Sequence, residues 1–127
     1  VVSRQMWRRT GPELKTAKTG RAKVTGLFAV RSQCTDPARE KEFNDWYNSM
    51  HAPDALATGL FHTAYRFELA SADMGTGNYL ALYETDAPDP AQAAREVLEI
   101  HRPRWIQTGR QSPLLQTTWR GVYRRVA

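Results

Sequence analysis

The sequence contains a single cysteine, Cys34, and only three histidines. One cysteine cannot form an internal disulfide, and it excludes a cysteine-rich metal site. The histidines His51, His62 and His101 fall on different predicted elements, so we do not expect a protein-bound catalytic metal. A reducing, cytoplasmic location is the default expectation for a chain with one thiol.

Long apolar runs are also absent. No stretch approaches the roughly 20 residues that span a bilayer, and residues 1–20 lack the apolar core of a signal peptide. The chain has no glycine-rich phosphate loop, no Gly-x-Ser-x-Gly and no His-Glu-x-x-His motif. We therefore expect no membrane partner and no cofactor, and at 127 residues one folded domain with a real core.

Acidic residues are scarce at the start of the chain. Residues 1–23 carry seven cations and one anion, whereas residues 24–127 carry 11 cations and 12 anions. The net charge of +5 therefore comes from a basic N-terminal arm, residues 1–22, and not from a face of the folded domain, residues 23–127. We expect a solvated, partly ordered arm; contact with nucleic acid is the less favoured alternative.

Hydrophobic periodicity divides the rest of the chain into four strands and two helices. Pro53 is expected to end the first helix at or just past His51, with one more turn at 55–57 as the alternative, and the second helix is expected to end around Pro103. The order predicts an α+β, ferredoxin-like βαββαβ domain with a four-stranded antiparallel sheet. In chain order the predicted elements are a strand at 23–32, a helix from 35 to 51, a strand at 60–69, a hairpin connection at 71–78, a strand at 79–84, a helix from 87 to 103, a loop at 105–113 and a strand at 114–126.

The first and third strands carry apolar residues on both faces. Two helices cover only one side of a four-stranded sheet, so the second face needs another cover. A second copy of the same sheet would supply it and would make a two-fold homodimer. The alternative is a monomer in which residues 1–20 fold back over that face.

The stretch from Glu42 to Asp54 is the constellation that points to chemistry. Phe43, Trp46, Tyr47 and Met50 form an apolar stripe at helical spacing. Tyr47 and His51 are four residues apart and so are neighbours on one helix surface. The sequence predicts an imidazole at a helix C-terminus, beside a phenol and three residues before a carboxylate.

These residues resemble the EthD-like branch of the dimeric α/β-barrel superfamily. The resemblance rests on Asp45-Trp46-Tyr47 with His51-x-Pro53-Asp54, on Gly59-Leu60-Phe61, on Tyr65-Arg66-Phe67 and on the run from Tyr79 to Glu84, and it covers residues 23–126. It implies a homodimer whose two sheets pack face to face into a dimeric α/β barrel, with a small-molecule cleft in each subunit. Relatives across the superfamily include cofactor-free polyketide cyclases, lactone isomerases and small monooxygenases.

His51, Tyr47 and Asp54 are the candidate catalytic residues. The helix dipole would favour the imidazolium of His51, which would act as acid or base, and Asp54 would orient its ring. Tyr47 would donate a hydrogen bond to a developing enolate oxygen. The alternatives are that His51 caps helix carbonyls and that Tyr47 is a core residue.

Four further residues are candidates for substrate binding: Trp46, Arg66, Tyr65 and Phe43. Arg66 would bind an acidic substrate group; the alternative is an ion pair within a dimer interface, because a buried charge must be paired. Trp46 and Phe43 would form aromatic walls, with core packing as the alternative.

The leading functional hypothesis is a cofactor-independent enzyme acting on a small hydrophobic carbonyl or polyketide-like metabolite. His51 would carry out a cyclisation, an isomerisation or a dehydration by acid–base catalysis, as a cyclase, isomerase or lyase does. The alternatives are a small-ligand-binding or accessory protein without catalysis, and a cofactor-free monooxygenase.

Overall fold

Six strands form one antiparallel sheet in the computed structural model, which describes residues 5–71 and 77–127. The prediction of a mixed α+β protein with an antiparallel sheet is confirmed. The strands are β1 (Trp7–Arg9), β2 (Leu14–Lys15), β3 (Gly26–Cys34), β4 (Thr63–Leu69), β5 (Tyr79–Thr85) and β6 (Leu115–Arg124). Across the sheet the order is β1-β4-β5-β3-β6, and β2 also pairs with β4.

The sheet has six strands instead of the expected four because the basic arm contributes two. Trp7 pairs with Leu69 in β4, and the Thr10 backbone N–H donates to the Arg66 carbonyl over 2.9 Å. The arm thereby occupies hydrogen-bonding groups that β4 would otherwise leave unpaired at the sheet edge. The predicted hairpin connection at 71–78 lies largely outside the described residues.

The first helical segment runs without a break from Pro37 to Ala57. A short 3₁₀ turn (Pro37–Arg39) leads into α1 (Glu40–Trp46), a π-helical turn (Tyr47–His51) and α2 (Ala52–Ala57). The Asp36 carboxylate starts it by accepting a hydrogen bond from the Ala38 N–H over 3.0 Å.

The second helical segment repeats this plan. Asp89 caps α3 (Pro90–Glu96), which continues through a π-helical turn (Val97–His101) into α4 (Arg102–Gln107). No helix in the described ranges is long and apolar enough to cross a membrane.

The predicted helix ends, at or just past His51 and around Pro103, are wrong, although the further turn expected as an alternative at 55–57 is present within α2. Proline lacks an N–H, and its ring crowds the carbonyl one turn earlier, so it usually ends a helix. Here a wider π turn precedes both Pro53 and Pro103 and accommodates the missing hydrogen bond and the ring. His51 therefore lies inside a helical segment, and the start of the predicted loop at 105–113 is helical.

Both helical segments pack on the same side of the sheet, which we call the inner face. Cross-strand neighbours share a face, and Ala64 with Tyr83 and Arg66 with Ala81 belong to the inner face. Tyr65 and Leu82 are paired on the opposite side, the open face. Trp7 of the arm reaches over part of the open face, where the Arg31 guanidinium lies 5.1 Å from its ring.

A β-bulge in β6 overturns its predicted alternation. Strict alternation along a strand would place Leu115, Thr117, Trp119 and Tyr123 on one face. The pairing with β3 shifts between Arg31 and Ser32, so one extra residue in β6 reverses the side on which later residues point. Leu115 and Thr117 line a cavity on the inner face, whereas Trp119 and Tyr123 lie on the open face.

Candidate functional site

A cavity of about 50 Å³ lies between the helical segments and the inner face of the sheet. A single water occupies roughly 10–15 Å³ of such a cavity, so the space is large enough for a small planar group. Its apolar walls are Phe28, Val30, Phe61, Val97, Leu98 and Leu115. Its polar lining is His51, Tyr83, Arg102, Gln111, Thr117 and Arg120.

The imidazole of His51 lies in a cage of three aromatic rings. It stacks on Trp46, with centroids 4.6 Å apart and planes inclined by 22°. Tyr47 approaches it edge-on at 4.8 Å and Trp105 at 5.7 Å. The predicted neighbourhood of Tyr47 and His51 on one helix surface is therefore seen in the structure, and the cage holds the imidazole against the cavity.

Burial lowers the pKa of His51 to about 4, because the cage removes water from the charged form. The Asp54 carboxylate raises this pKa in part, while the positive charges of Arg66 and Arg102 lower it further. The expectation that a helix C-terminus favours the imidazolium is wrong, because the helical segment continues past His51. At neutral pH the ring is neutral and can accept a proton.

Two buried tyrosines lie under the cavity. The Tyr83 hydroxyl donates to the Tyr47 hydroxyl over 3.4 Å, and Tyr83 itself lines the cavity. Burial raises the pKa of both phenols. Both hydroxyls therefore keep their protons at neutral pH and remain hydrogen-bond donors.

Arg66 projects from β4 into the core and is only 3% exposed. Its guanidinium lies 4.0 Å from the centre of the Tyr47 ring, and its Nη1 donates to Asn48 Oδ1 over 3.1 Å. Its Nε and Nη2 are buried without a hydrogen-bond partner among the described residues. Burial lowers the pKa of Arg66. The positive charge of its guanidinium favours a negatively charged group at the site.

The N-terminal arm packs against Asn48, which accepts a hydrogen bond from Arg66. Gly11 has a φ of +71°, which favours glycine, and a Cβ there would come within 2.8 Å of Asn48 Oδ1. The arm and the buried charge of Arg66 therefore meet at Asn48.

Asp54 bonds to an arginine instead of to the imidazole. Its two oxygens accept hydrogen bonds from Arg110 Nε and Nη2 over 2.7 and 2.9 Å. The Arg110 carbonyl in turn accepts from Trp46 Nε1 over 3.0 Å. Asp54 thus acts on His51 through its charge, and the Arg110 loop holds Trp46 in the cage.

None of the four candidates for substrate binding, Trp46, Arg66, Tyr65 and Phe43, lines the cavity. Phe43 is fully buried in the core, 5.8 Å from the Tyr47 ring. Tyr65 is on the open face, where the Arg9 guanidinium lies 5.0 Å from its ring and its hydroxyl donates to Glu84 over 3.1 Å.

Sequence reasoning missed Arg102, Trp105 and Arg120 as cavity residues. Leu98, Arg102 and Trp105 have the i, i+4, i+7 spacing of one helix face, a signal that is visible once the helix is continued past Pro103. Arg120 had no such signal, because the bulge in β6 reverses its side.

No group of three or more His, Cys, Asp or Glu side chains in residues 5–71 and 77–127 is placed to hold a metal ion. His62 belongs to a separate hydrogen-bonded cluster: its Nδ1 lies 2.8 Å from Thr63 Oγ1, which lies 2.8 Å from Thr19 Oγ1. This cluster ties residues 16–19 to the start of β4.

The structure thus defines an α+β protein with a partly open, mostly apolar cavity that is lined by one neutral imidazole and two arginines. The chain belongs to the family described as a domain of unknown function, DUF4286, whose model matches residues 27–97. The match includes His51 and Tyr83 and ends before Arg102, Trp105 and Arg120. No curated protein matches the chain.

Proposed function

We propose that the protein is a cofactor-independent enzyme that moves a proton on a small hydrophobic carbonyl compound, with His51 as the base. The observation that carries this proposal is the neutral imidazole of His51 on the wall of a partly open, mostly apolar cavity. A neutral ring nitrogen can accept a proton, and apolar walls keep water from competing for it.

The reaction would begin at the carbon next to the substrate carbonyl. A His51 nitrogen takes a proton from that carbon, the C–H electron pair forms the C=C bond of an enolate, and the carbonyl electron pair moves to oxygen. The guanidiniums of Arg102 and Arg120 line the same cavity and would stabilise this oxygen. Return of the proton to another atom completes an isomerisation, and a cyclisation or dehydration starts from the same enolate.

The low pKa of His51 makes it a weak base in the empty cavity. Negative charge on a bound substrate or enolate favours the imidazolium, because opposite charges stabilise each other strongly where water is excluded. The base would therefore gain strength as the enolate forms.

The cavity of about 50 Å³ narrows the substrate class. Pockets for drug-sized ligands enclose roughly 300–1,000 Å³, so this space fits a compound with one small ring. A polyketide-like substrate of several rings would require the cleft to open between the helical segments.

A ferredoxin-like fold, an EthD-like relationship and a homodimer are part of the proposal. The fold is supported by the order β4-β5-β3-β6 and by helical segments that connect β3 to β4 and β5 to β6. The dimer is supported by the open face, where Trp119 is 45% and Tyr123 53% exposed beside Leu80 and Leu82. A second copy of this face would cover these side chains.

A ligand-binding protein without catalysis is the second candidate. The pKa of about 4 favours it, because such an imidazole is a poor base unless the ligand is charged. This candidate uses the same cavity but predicts no proton transfer to or from the ligand.

Hydrogen–deuterium exchange separates the two candidates. Phenylpyruvate and phenylacetone carry exchangeable protons between a ring and a carbonyl, and their exchange in deuterated buffer is followed by proton NMR. We expect the protein to accelerate exchange of at least one compound, and His51→Gln to slow it by about tenfold or more.

His101→Gln is the matched control, because His101 has the same place in the second helical segment and does not line the cavity. It should leave the exchange rate unchanged. Exchange that is equally fast with wild type and His51→Gln would remove the catalytic role of His51 and favour the binding protein.

A further inference from the structure

The mouth of the cavity carries more positive charge than the chain neutralises. Arg102 in α4 and Arg120 in β6 both line the cavity. Both side chains are exposed at the edge of the cavity, and no hydrogen bond or ion pair joins either guanidinium to another residue in the described ranges. Burial lowers the pKa of Arg120, and the positive charge of Arg102 lowers it further.

The nearby carboxylate does not compensate this charge. Asp54 already accepts two hydrogen bonds from Arg110. Arg66, behind Tyr47, adds a third positive charge without an acidic partner in the described ranges. Two guanidinium groups therefore line the cavity, Arg66 lies behind Tyr47, and no Asp or Glu is among the lining residues.

An unpartnered polar atom in the cavity lining is an independent sign of a missing ligand. Gln111 lines the cavity, and its Oε1 is buried without a hydrogen-bond partner. Buried polar atoms are normally paired, with protein, water or ligand. An occupant that carries an O–H or N–H donor would satisfy this oxygen, because an amide oxygen only accepts hydrogen bonds.

We infer that the cavity binds a small carboxylate with an aromatic or aliphatic body, whose carboxylate lies between Arg102 and Arg120. Guanidinium groups match a carboxylate in charge and geometry, which explains two arginines at one mouth. The apolar body would lie against Phe28, Phe61 and Leu98. The inference rests on the proposed function because it names the substrate class for the same cavity.

Benzoate and benzamide are suitable probes, because they share a ring and differ mainly in the charge of the head group. Neither has an α-proton, so their binding, measured by isothermal titration calorimetry, is independent of turnover. We expect wild-type protein to bind benzoate at least about tenfold more tightly than benzamide. The double variant Arg102→Gln/Arg120→Gln should lose this preference and bind the two compounds alike.

Arg104→Gln/Arg124→Gln is the matched control. Both arginines are exposed, lie on the same two elements α4 and β6, and do not line this cavity. The control removes the same net charge and should keep the preference for benzoate. Equal affinity of wild type for both probes, no binding of either, or an equal loss in the control would overturn the carboxylate site.

The outcomes also separate this inference from the proposed function. A preference for benzoate without exchange of phenylpyruvate or phenylacetone leaves a carboxylate-binding protein. Exchange of phenylacetone without a preference for benzoate supports His51 as the base and refutes the carboxylate site.

Discussion

The guanidinium of Arg66 lies 4.0 Å from the centre of the Tyr47 ring, although Arg66 is only 3% exposed and has no acidic partner in the described ranges. Two of its nitrogens, Nε and Nη2, are buried without hydrogen bonds. A cation–π contact stabilises such a group by about 0.5–2 kcal/mol, less than the several kcal/mol that removing an ion from water costs. Burial of Arg66 therefore lowers the stability of the fold, and we attribute its position to the function of the site.

Replacement of Arg66 tests this view. We expect Arg66→Met to raise the free energy of unfolding by about 1 kcal/mol, because it removes a desolvated and unpaired charge. It should also raise the pKa of His51, since the charge of Arg66 lowers it. Urea unfolding and NMR titration of the imidazole measure the two effects.

Arg66→Lys is the control for charge, because it keeps the cation and loses the planar stack on Tyr47. The pKa of His51 should stay low in this variant. A variant Arg66→Met that is less stable than wild type by more than about 1 kcal/mol would show that Arg66 stabilises the fold.

The stability of the protein should fall as the pH drops from about 6.5 to about 4. Unfolded His51 takes up a proton near its ordinary pKa of 6.5, whereas the folded protein takes it up only near 4. In this window the unfolded state binds more protons than the folded state. The contribution of His51 to the free energy of unfolding is therefore complete above pH 6.5, and about 2–3 kcal/mol of it is lost as the pH falls toward 4.

The His51→Gln variant isolates the contribution of His51 to this loss of stability, because the carboxylates titrate alike in both proteins. Urea unfolding at a series of pH values should show a smaller loss for His51→Gln than for wild type between pH 6.5 and pH 4. Parallel curves would mean that the folded protein protonates His51 as easily as the unfolded chain does.

Asp54 and Arg110 should shift the pKa of His51 in opposite directions. Asp54→Asn removes the charge that raises this pKa and should lower it further. Arg110→Gln leaves the Asp54 carboxylate without its partner and should raise it. Imidazole proton shifts followed by NMR against pH measure both; shifts of the same sign would refute the electrostatic role of Asp54.

The open face should govern the oligomeric state. Trp119→Glu and Tyr123→Glu place a carboxylate among exposed aromatic and aliphatic side chains, where burial against a second copy would leave it unpaired. We expect wild type to be a dimer and each variant a monomer in sedimentation equilibrium. Arg124→Glu, on the same strand, should remain dimeric, and a wild-type monomer would exclude the paired sheets.

The order of strands and helices could be predicted because hydrophobic periodicity is a local property. Phe43, Tyr47 and His51 were correctly placed on one helical segment for the same reason. The ends of the helical segments were missed, because the rule for Pro53 and Pro103 assumes an α-helix and a π turn changes what a proline requires.

The cavity was predicted only in part, because it is made by elements far apart in the chain. His51 had a local signal and lines the cavity as expected. Arg120 had no local signal, because a bulge depends on how β6 pairs with β3 and not on the residues of β6 alone. Pairing is also what gives residues 7–15 their strand structure, which their composition does not favour.

The strands β1 and β2 of the arm have a practical consequence for fragments of this protein. A recombinant piece beginning at residue 23 would leave the backbone N–H and C=O groups of β4 without the partners they have at Trp7, Arg9 and Leu14. Such a bare edge is a template for joining sheets from different molecules, so the shortened protein would tend to precipitate.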